Sequence, residues 1–173
     1  MNSPDRWLGQ PELRVHELLR RLTEREVDFV VVGGVAVILQ ASPRLTKDLD
    51  ICYAPEQVNL DRLGAVLIEL GARLRCVEED LPFVPDGRAL RHTQILTLTT
   101  VDGGLDLLVE PDGSPSYPAL RRRADQIDID GIVVRVASIE DLIAMKRAAG
   151  RPQDLVDLES LEIARRRRRR KSS

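Results

Sequence analysis

Aromatic side chains are scarce in this sequence: one Trp, two Tyr and two Phe among 173 residues. Any core must therefore be assembled from Leu, Val, Ile and Ala, and a hydrophobic content of 43% is sufficient for one. Apolar runs are short, and none approaches the roughly 18–20 residues of a membrane-spanning helix. The opening MNSPDRWLGQ has neither the basic stretch nor the apolar segment of a secretory signal. The expectation is a cytoplasmic protein with no membrane partner.

Cysteine and histidine are scarcer still. Cys52 and Cys76 show no C-x-x-C spacing, and His16 and His92 lie far apart. This pattern argues against a zinc site and against a disulfide framework, leaving reduced, partly buried thiols as the default. A Walker A loop is absent, since nothing matches G-x-x-x-x-G-K-[ST].

A net charge of −2 conceals an asymmetry. Residues 165–171 read RRRRRRK and hold seven of the 26 basic side chains. The remaining 19 face 28 acidic residues, so the body is near −9. Such a body is a poor general nucleic-acid binder, whereas the tail attracts phosphate without reading sequence. A disordered solubilising end accounts for the tail equally well.

What is present is a clear alternation of elements. Residues 11–26 place Leu13, Leu18, Leu19 and Leu22 at helical spacing, with Pro11 suited to a first turn. DFVVVGG reads as a buried strand ending in glycine, VAVILQA as one or two helical turns, SPRLT as a loop and KDLDICY as a strand. Residues 56–70 return to helical periodicity through Val58, Leu63, Val66, Leu67 and Leu70, with Gly71 as C-cap. RLRCVE is a short strand and EEDLPFVPDGRALR a polar loop. TQILTLTT and LDLLVE are strands joined at Val101-Asp102-Gly103-Gly104, and a second hairpin turns at Asp130-Gly131. Ser138 N-caps a helix with Asp141 at N3, Gly150 ends it, and Pro152 starts another running through LVDLESLEIA. The order predicts an α+β fold with a mixed, largely antiparallel sheet flanked by helices, plus a C-terminal helical pair.

The chemistry lies in KDLDICY. Side chains alternate along a strand, so Asp48 and Asp50 share one face while Leu49 and Ile51 point to the other. The two carboxylates are then about 7 Å apart along the strand. Like charges so close raise each other's pKa unless a cation intervenes. Magnesium binds through one or two carboxylates plus substrate phosphates. A solvated strand face yields the same Asp-x-Asp, so the pattern alone does not separate the two readings.

Two features add weight. Gly33-Gly34 stands between a buried strand and a short helix, where glycine admits close backbone approach and a helix start offers free N–H groups to phosphate. A third strand carboxylate, Asp106, again follows a glycine pair and is flanked by Leu105 and Leu107, which should point into the core. Three carboxylates are the ligand count for two metal ions about 3.5–4 Å apart in phosphoryl displacement. Arg44, Thr46 and Lys47 precede the pair in a loop, where a cation would neutralise developing phosphate charge and where a solvated loop is the plainer reading.

Gly33-Gly34, Asp48-x-Asp50 and the later Asp106 together resemble the signature of the DNA polymerase beta-like nucleotidyltransferase superfamily. More narrowly, FVVVGGVAVILQASPRLTKDLDI and SIEDLIAMKRAAGRPQDLVDL are similar to small stand-alone prokaryotic nucleotidyltransferases. These are related to minimal nucleotidyltransferases and to abortive-infection nucleotidyltransferase toxins. The resemblance covers roughly residues 20–160.

It implies that Asp48, Asp50 and Asp106 bind Mg²⁺ (or Mn²⁺), with Asp106 also helping to activate the attacking hydroxyl. Gly33 and Gly34 would hold the triphosphate of an NTP through backbone amides. Many relatives carry Gly-Ser, so a serine contact is missing at Gly34. Lys146, Arg151, Asp154 and Asp157 resemble the Lys…Arg-x-x-Asp-x-x-Asp pattern of the abortive-infection relatives. There Lys146 would reach the phosphates, with the aspartates holding it or forming a plain ion-pair network. The implied reaction moves an NMP to a hydroxyl of RNA, a protein side chain or a small molecule. RNA or a cognate toxin or antitoxin protein would be the partner. The implied layout is a catalytic core over 1–137, a helical pair over 138–164 and a disordered basic tail over 165–173. Two rival readings remain: a non-catalytic antitoxin-type interaction module, and an RNA binder acting through the tail.

Overall fold

FVVV becomes β1 (Phe29–Val32), buried along its whole length, as an uninterrupted β-branched run demands. The computed structural model describes residues 11–75 and 85–172. The other strands are β2 (Asp48–Tyr53), β3 (Arg73–Leu74), β4 (Ile95–Thr100), β5 (Gly103–Leu108), β6 (Asp125–Ile129) and β7 (Ile132–Val136). The helices are α1 (Val15–Glu24), α2 (Gly33–Gln40), α3 (Gln57–Glu69), α4 (Gly87–Arg91), α5 (Tyr117–Arg123), α6 (Ile139–Ala149) and α7 (Pro152–Lys171). Among the described residues the seven strands join one sheet in the order β3-β4-β5-β2-β1-β7-β6. Only β2–β5 and β1–β7 run parallel, so the expected mixed, mainly antiparallel α+β architecture is what forms.

The core follows the apolar pattern. Leu18, Leu19 and Leu22 of α1 are fully buried, as are Leu49 and Ile51 of β2, Leu105 and Leu107 of β5, and Leu63, Val66 and Leu67 of α3. Both hairpins are two-residue turns. β4 and β5 pair from Thr100↔Gly103, and Asp130 and Gly131 take positive φ as a type I′ turn requires. Ser138 accepts the Asp141 N–H at 3.1 Å to cap α6, and Gly150 ends that helix at φ +62°.

The sequence expectation departs from the structure at several points. α1 begins at Val15, not near Pro11, because residues 11–14 lie along the β4–β5 turn. There Arg14 N–H donates to the Asp102 carbonyl at 2.9 Å, and a side chain at Gly103 would meet Leu13 Cα at 2.6 Å. Val58 is 63% exposed. The helix instead turns Asn59 inward, where it donates to the carbonyls of Asp28 and Ala54 and accepts the Asp28 N–H. Two short helices, α4 and α5, stand where loop or no element was expected. Of the strand expected over 73–78, only Arg73–Leu74 is paired, while Cys76 and the loop up to residue 84 lie outside the described residues.

The largest correction concerns the basic run. Helix α7 continues through it to Lys171 instead of ending near residue 164 in a disordered tail. Arginine is a good helix former, and the segment is anchored. Arg168 bonds Asp125 at 3.0 Å and also Gln40, while Arg165 bonds Glu162. Helices α6 and α7 pack on each other, and both contact α2, which holds them beside the Gly-Gly turn. Among the described residues no helix is long and apolar enough to cross a membrane.

Candidate active site

Strand alternation and register assemble the carboxylates. In the parallel pairing of β2 with β5, Asp50 stands beside Asp106 and Asp48 beside Gly104. Adjacent strands are about 4.8 Å apart, so the three carboxylates share one patch on one sheet face. Burial raises the Asp50 carboxyl to about 7, and the charges of Asp106 and Asp48 add to the effect. Lys146 and the Gly34 N–H, which donates to Asp50, oppose it. Burial likewise raises Asp106 to about 6, with Arg75 pulling against it and Asp48 pushing with it. Carboxyl groups held so far above their ordinary range by burial and by each other mark a candidate functional site.

The glycines make room for these side chains. Gly33 takes φ +65°, and a Cβ there would lie 2.3 Å from Asp50 Oδ2. At Gly34 a Cβ would fall 2.7 Å from both Arg44 Nη2 and Thr46 Oγ1. A Cβ at Gly104 would sit 2.0 Å from Asp48 Oδ1. Gly33, Gly34 and Gly104 thus serve close packing of the carboxylates and their loop, and the Gly34 amide at the start of α2 is given to Asp50.

The loop residues divide. Arg44 is drawn back onto α7, its Nε 2.9 Å from Asp157 Oδ1, and its Nη1 donates to the Leu45 carbonyl. Thr46 donates to the Asp48 carbonyl at 3.3 Å, tying the loop to the strand. Lys47 is exposed just ahead of Asp48.

Lys146 is only 5% exposed, and its Nζ bridges Asp154 and Asp157 at 2.9 Å each. Arg151 completes the network through Asp154 at 2.8 Å. Burial alone would raise Asp154, but hydrogen bonds from Arg151 and Lys146 bring it down to about 2. The network stands close enough for Lys146 and Arg151 to feel Asp50.

Cys52, on the Asp50 face, is buried and its thiol is pushed up to about 12, which makes it chemically inert.

Sequence reasoning missed Arg75. Its Nη2 lies 2.9 Å from Asp106 Oδ1, 3.0 Å from Asp48 Oδ1 and 2.7 Å from the Leu98 carbonyl. Arg75 N–H donates to the Thr97 carbonyl, and Thr97 is the register partner of Asp106. The arginine therefore reaches across β4 to the carboxylates. No motif announces it: an arginine just past a short edge strand, two residues after Arg73, reads like any solvated one.

The donor set suits a hard divalent ion, being all oxygen and all carboxylate. Buried Asp48 Oδ1 accepts no aligned hydrogen bond among the described residues and meets the Arg75 guanidinium as a charge contact at 3.0 Å. Among those residues no three acidic, cysteine or histidine side chains already converge on one point. Asp48 and Asp106 are instead turned onto Arg75.

The family described as nucleotidyl transferase AbiEii toxin, Type IV TA system, matches residues 17–163. No curated protein matches the chain. Among solved structures it is similar to lincosamide antibiotic adenylyltransferase LnuA, lincomycin-bound, at 15% identity and TM-score 0.59, covering 87% of this chain and 98% of that one. ANT(2″)-Ia in complex with adenylyl-2″-tobramycin is similar at 21% identity and TM-score 0.51, over 92% and 97%. An antigenic nucleotidyltransferase-like protein from Paracoccidioides brasiliensis follows at 19% and 0.51, over 86% and 77%. These likenesses establish the fold, and the family match covers most of the chain. The chain thus belongs to the AbiEii nucleotidyltransferase toxin family and is an enzyme that transfers nucleotides.

Proposed function

We propose that the protein moves a nucleoside monophosphate from an NTP to a hydroxyl acceptor, releasing pyrophosphate, with Asp48, Asp50 and Asp106 holding Mg²⁺ or Mn²⁺. The observation that carries this reading is the register of β2 against β5, which sets three carboxylates side by side on one sheet face. When bound, divalent ions neutralise the triphosphate and align the attacking and leaving oxygens. The acceptor oxygen attacks the α-phosphorus as the bond to the β-phosphate oxygen breaks.

The chain's own residues supply the positioning. Gly34 N–H orients Asp50, and Thr46 pins the loop that carries Lys47 into Asp48. Asp106, the register partner of Asp50, also helps to activate the acceptor hydroxyl by taking its proton. Lys146, fixed by Asp154 and Asp157, supplies positive potential behind Asp50 toward the triphosphate. Arg44 serves by holding the loop on Asp157. The family description, a toxin of a Type IV TA system, further supports a cognate antitoxin as protein partner.

The test is label transfer. The protein is incubated with each α-³²P-labelled NTP and Mg²⁺ or Mn²⁺, against total RNA, cellular protein and small hydroxylated antibiotics in parallel. One acceptor class is expected to become labelled from one NTP, and Asp48→Asn with Asp50→Asn to abolish it. Absence of labelling in every arm, or labelling that survives both substitutions, contradicts the reading.

A further inference from the structure

We propose that Arg75 is the built-in counter-cation of the carboxylate site, and that a divalent ion enters by displacing its guanidinium from Asp48 and Asp106. The inference rests on the reading of these aspartates as metal ligands. Four observations carry it. A single nitrogen, Arg75 Nη2, stands within 3.0 Å of Asp48 Oδ1 and 2.9 Å of Asp106 Oδ1, joining the two strands' carboxylates. The side chain is 11% exposed, so its charge is spent on this site and not on solvent.

The arrangement is also imperfect. Arg75 Nε is buried with no hydrogen-bond partner among the described residues, and Asp48 Oδ1 meets Nη2 only as an ion contact. A buried donor is thus left without a partner, and Asp48 is held by charge rather than by an aligned hydrogen bond, which is a contact suited to exchange. Gly104 supplies the space: a Cβ there would press on both partners, at 2.0 Å from Asp48 Oδ1 and 2.7 Å from Arg75 Nη2.

The consequence is a competition. Without a metal, Arg75 offsets the repulsion among Asp48, Asp50 and Asp106. With one, its contacts must open, and metal affinity is lower by the strength of those contacts. A guanidinium that merely braced the aspartates for metal binding would have the opposite effect when removed. The sign of the change therefore separates the two roles.

The experiment titrates Mn²⁺ alone into wild type, Arg75→Gln, Arg75→Lys and Asp48→Asn by calorimetry, with thermal melts in EDTA and in saturating Mn²⁺. Arg75→Gln is expected to bind Mn²⁺ more tightly by roughly tenfold, the scale of one charge-assisted contact. It should also melt below wild type in EDTA, with the gap narrowing in Mn²⁺. Arg75→Lys keeps the charge but loses the planar fork, and should fall between the two; it decides the sign if Arg75→Gln fails to fold. Weaker or unchanged Mn²⁺ binding in these variants, with normal binding by wild type, overturns the inference alone. Equal absence of binding in wild type and Asp48→Asn overturns the metal-ligand reading with it.

Discussion

Asp50→Asn is expected to reduce nucleotide transfer by roughly 10²- to 10³-fold and yet to raise the melting temperature of the metal-free protein at pH 8. The two effects share one cause. Burial beside Asp106 and Asp48 raises the Asp50 carboxyl from 3.8 to about 7 in the folded protein. A group whose folded pKa is raised contributes full stability below its unfolded pKa and loses it as pH climbs through the folded value. The wild type should therefore become less stable from about pH 4 to pH 8, by an upper bound of roughly 4 kcal/mol. Asparagine stays neutral throughout, can still accept the Gly34 N–H, and escapes that loss. At about 2–4 °C per kcal/mol for a chain of this size, the variant should melt near 10 °C higher at pH 8 and converge with wild type only at about pH 4. Thermal melts in EDTA across that range check it. A flat wild-type profile, or a variant less stable at pH 8, would show that the carboxylates are not in conflict.

Lys146→Met should act in the opposite direction and at every pH in that range. The substitution preserves length and apolar bulk but strips Asp154 and Asp157 of the cation that bridges them at 2.9 Å. Removing one partner of a buried ion pair costs about 3–5 kcal/mol. Arg151 on Asp154 and Arg44 on Asp157 remain, so the lower end is expected. That corresponds to a fall of roughly 10 °C by differential scanning calorimetry. Arg168→Ala, which breaks a half-exposed pair with Asp125, should change stability by less than about 1 kcal/mol. Similar losses in the two variants would mean that the Lys146 network is no more than a surface arrangement.

These expectations also show how far the sequence reaches. Asp48, Asp50 and Asp106 were legible because strand alternation has a fixed period and their neighbours Leu49, Ile51, Leu105 and Leu107 are all core residues. The hairpins at Val101-Asp102 and Asp130-Gly131 were legible from turn chemistry. Arg75 was not, because its role depends on β3 lying two strands from β5, a non-local fact. The purpose of Gly33 and Gly104 was visible only in part. Each leaves space for a carboxylate, and no local pattern says which side chain will fill it. Helix α7 runs past its expected end because arginine is a good helix former and the run's anchors, Asp125 and Gln40, are distant in sequence.

Calorimetric titration of each NTP in the presence and absence of Mg²⁺, with wild type against the Asp48→Asn/Asp50→Asn double variant, addresses the site most directly. The account predicts binding of at least one NTP that requires Mg²⁺ and disappears in the variant, while both proteins remain folded. Tight NTP binding that ignores Mg²⁺ and survives the double substitution would contradict it.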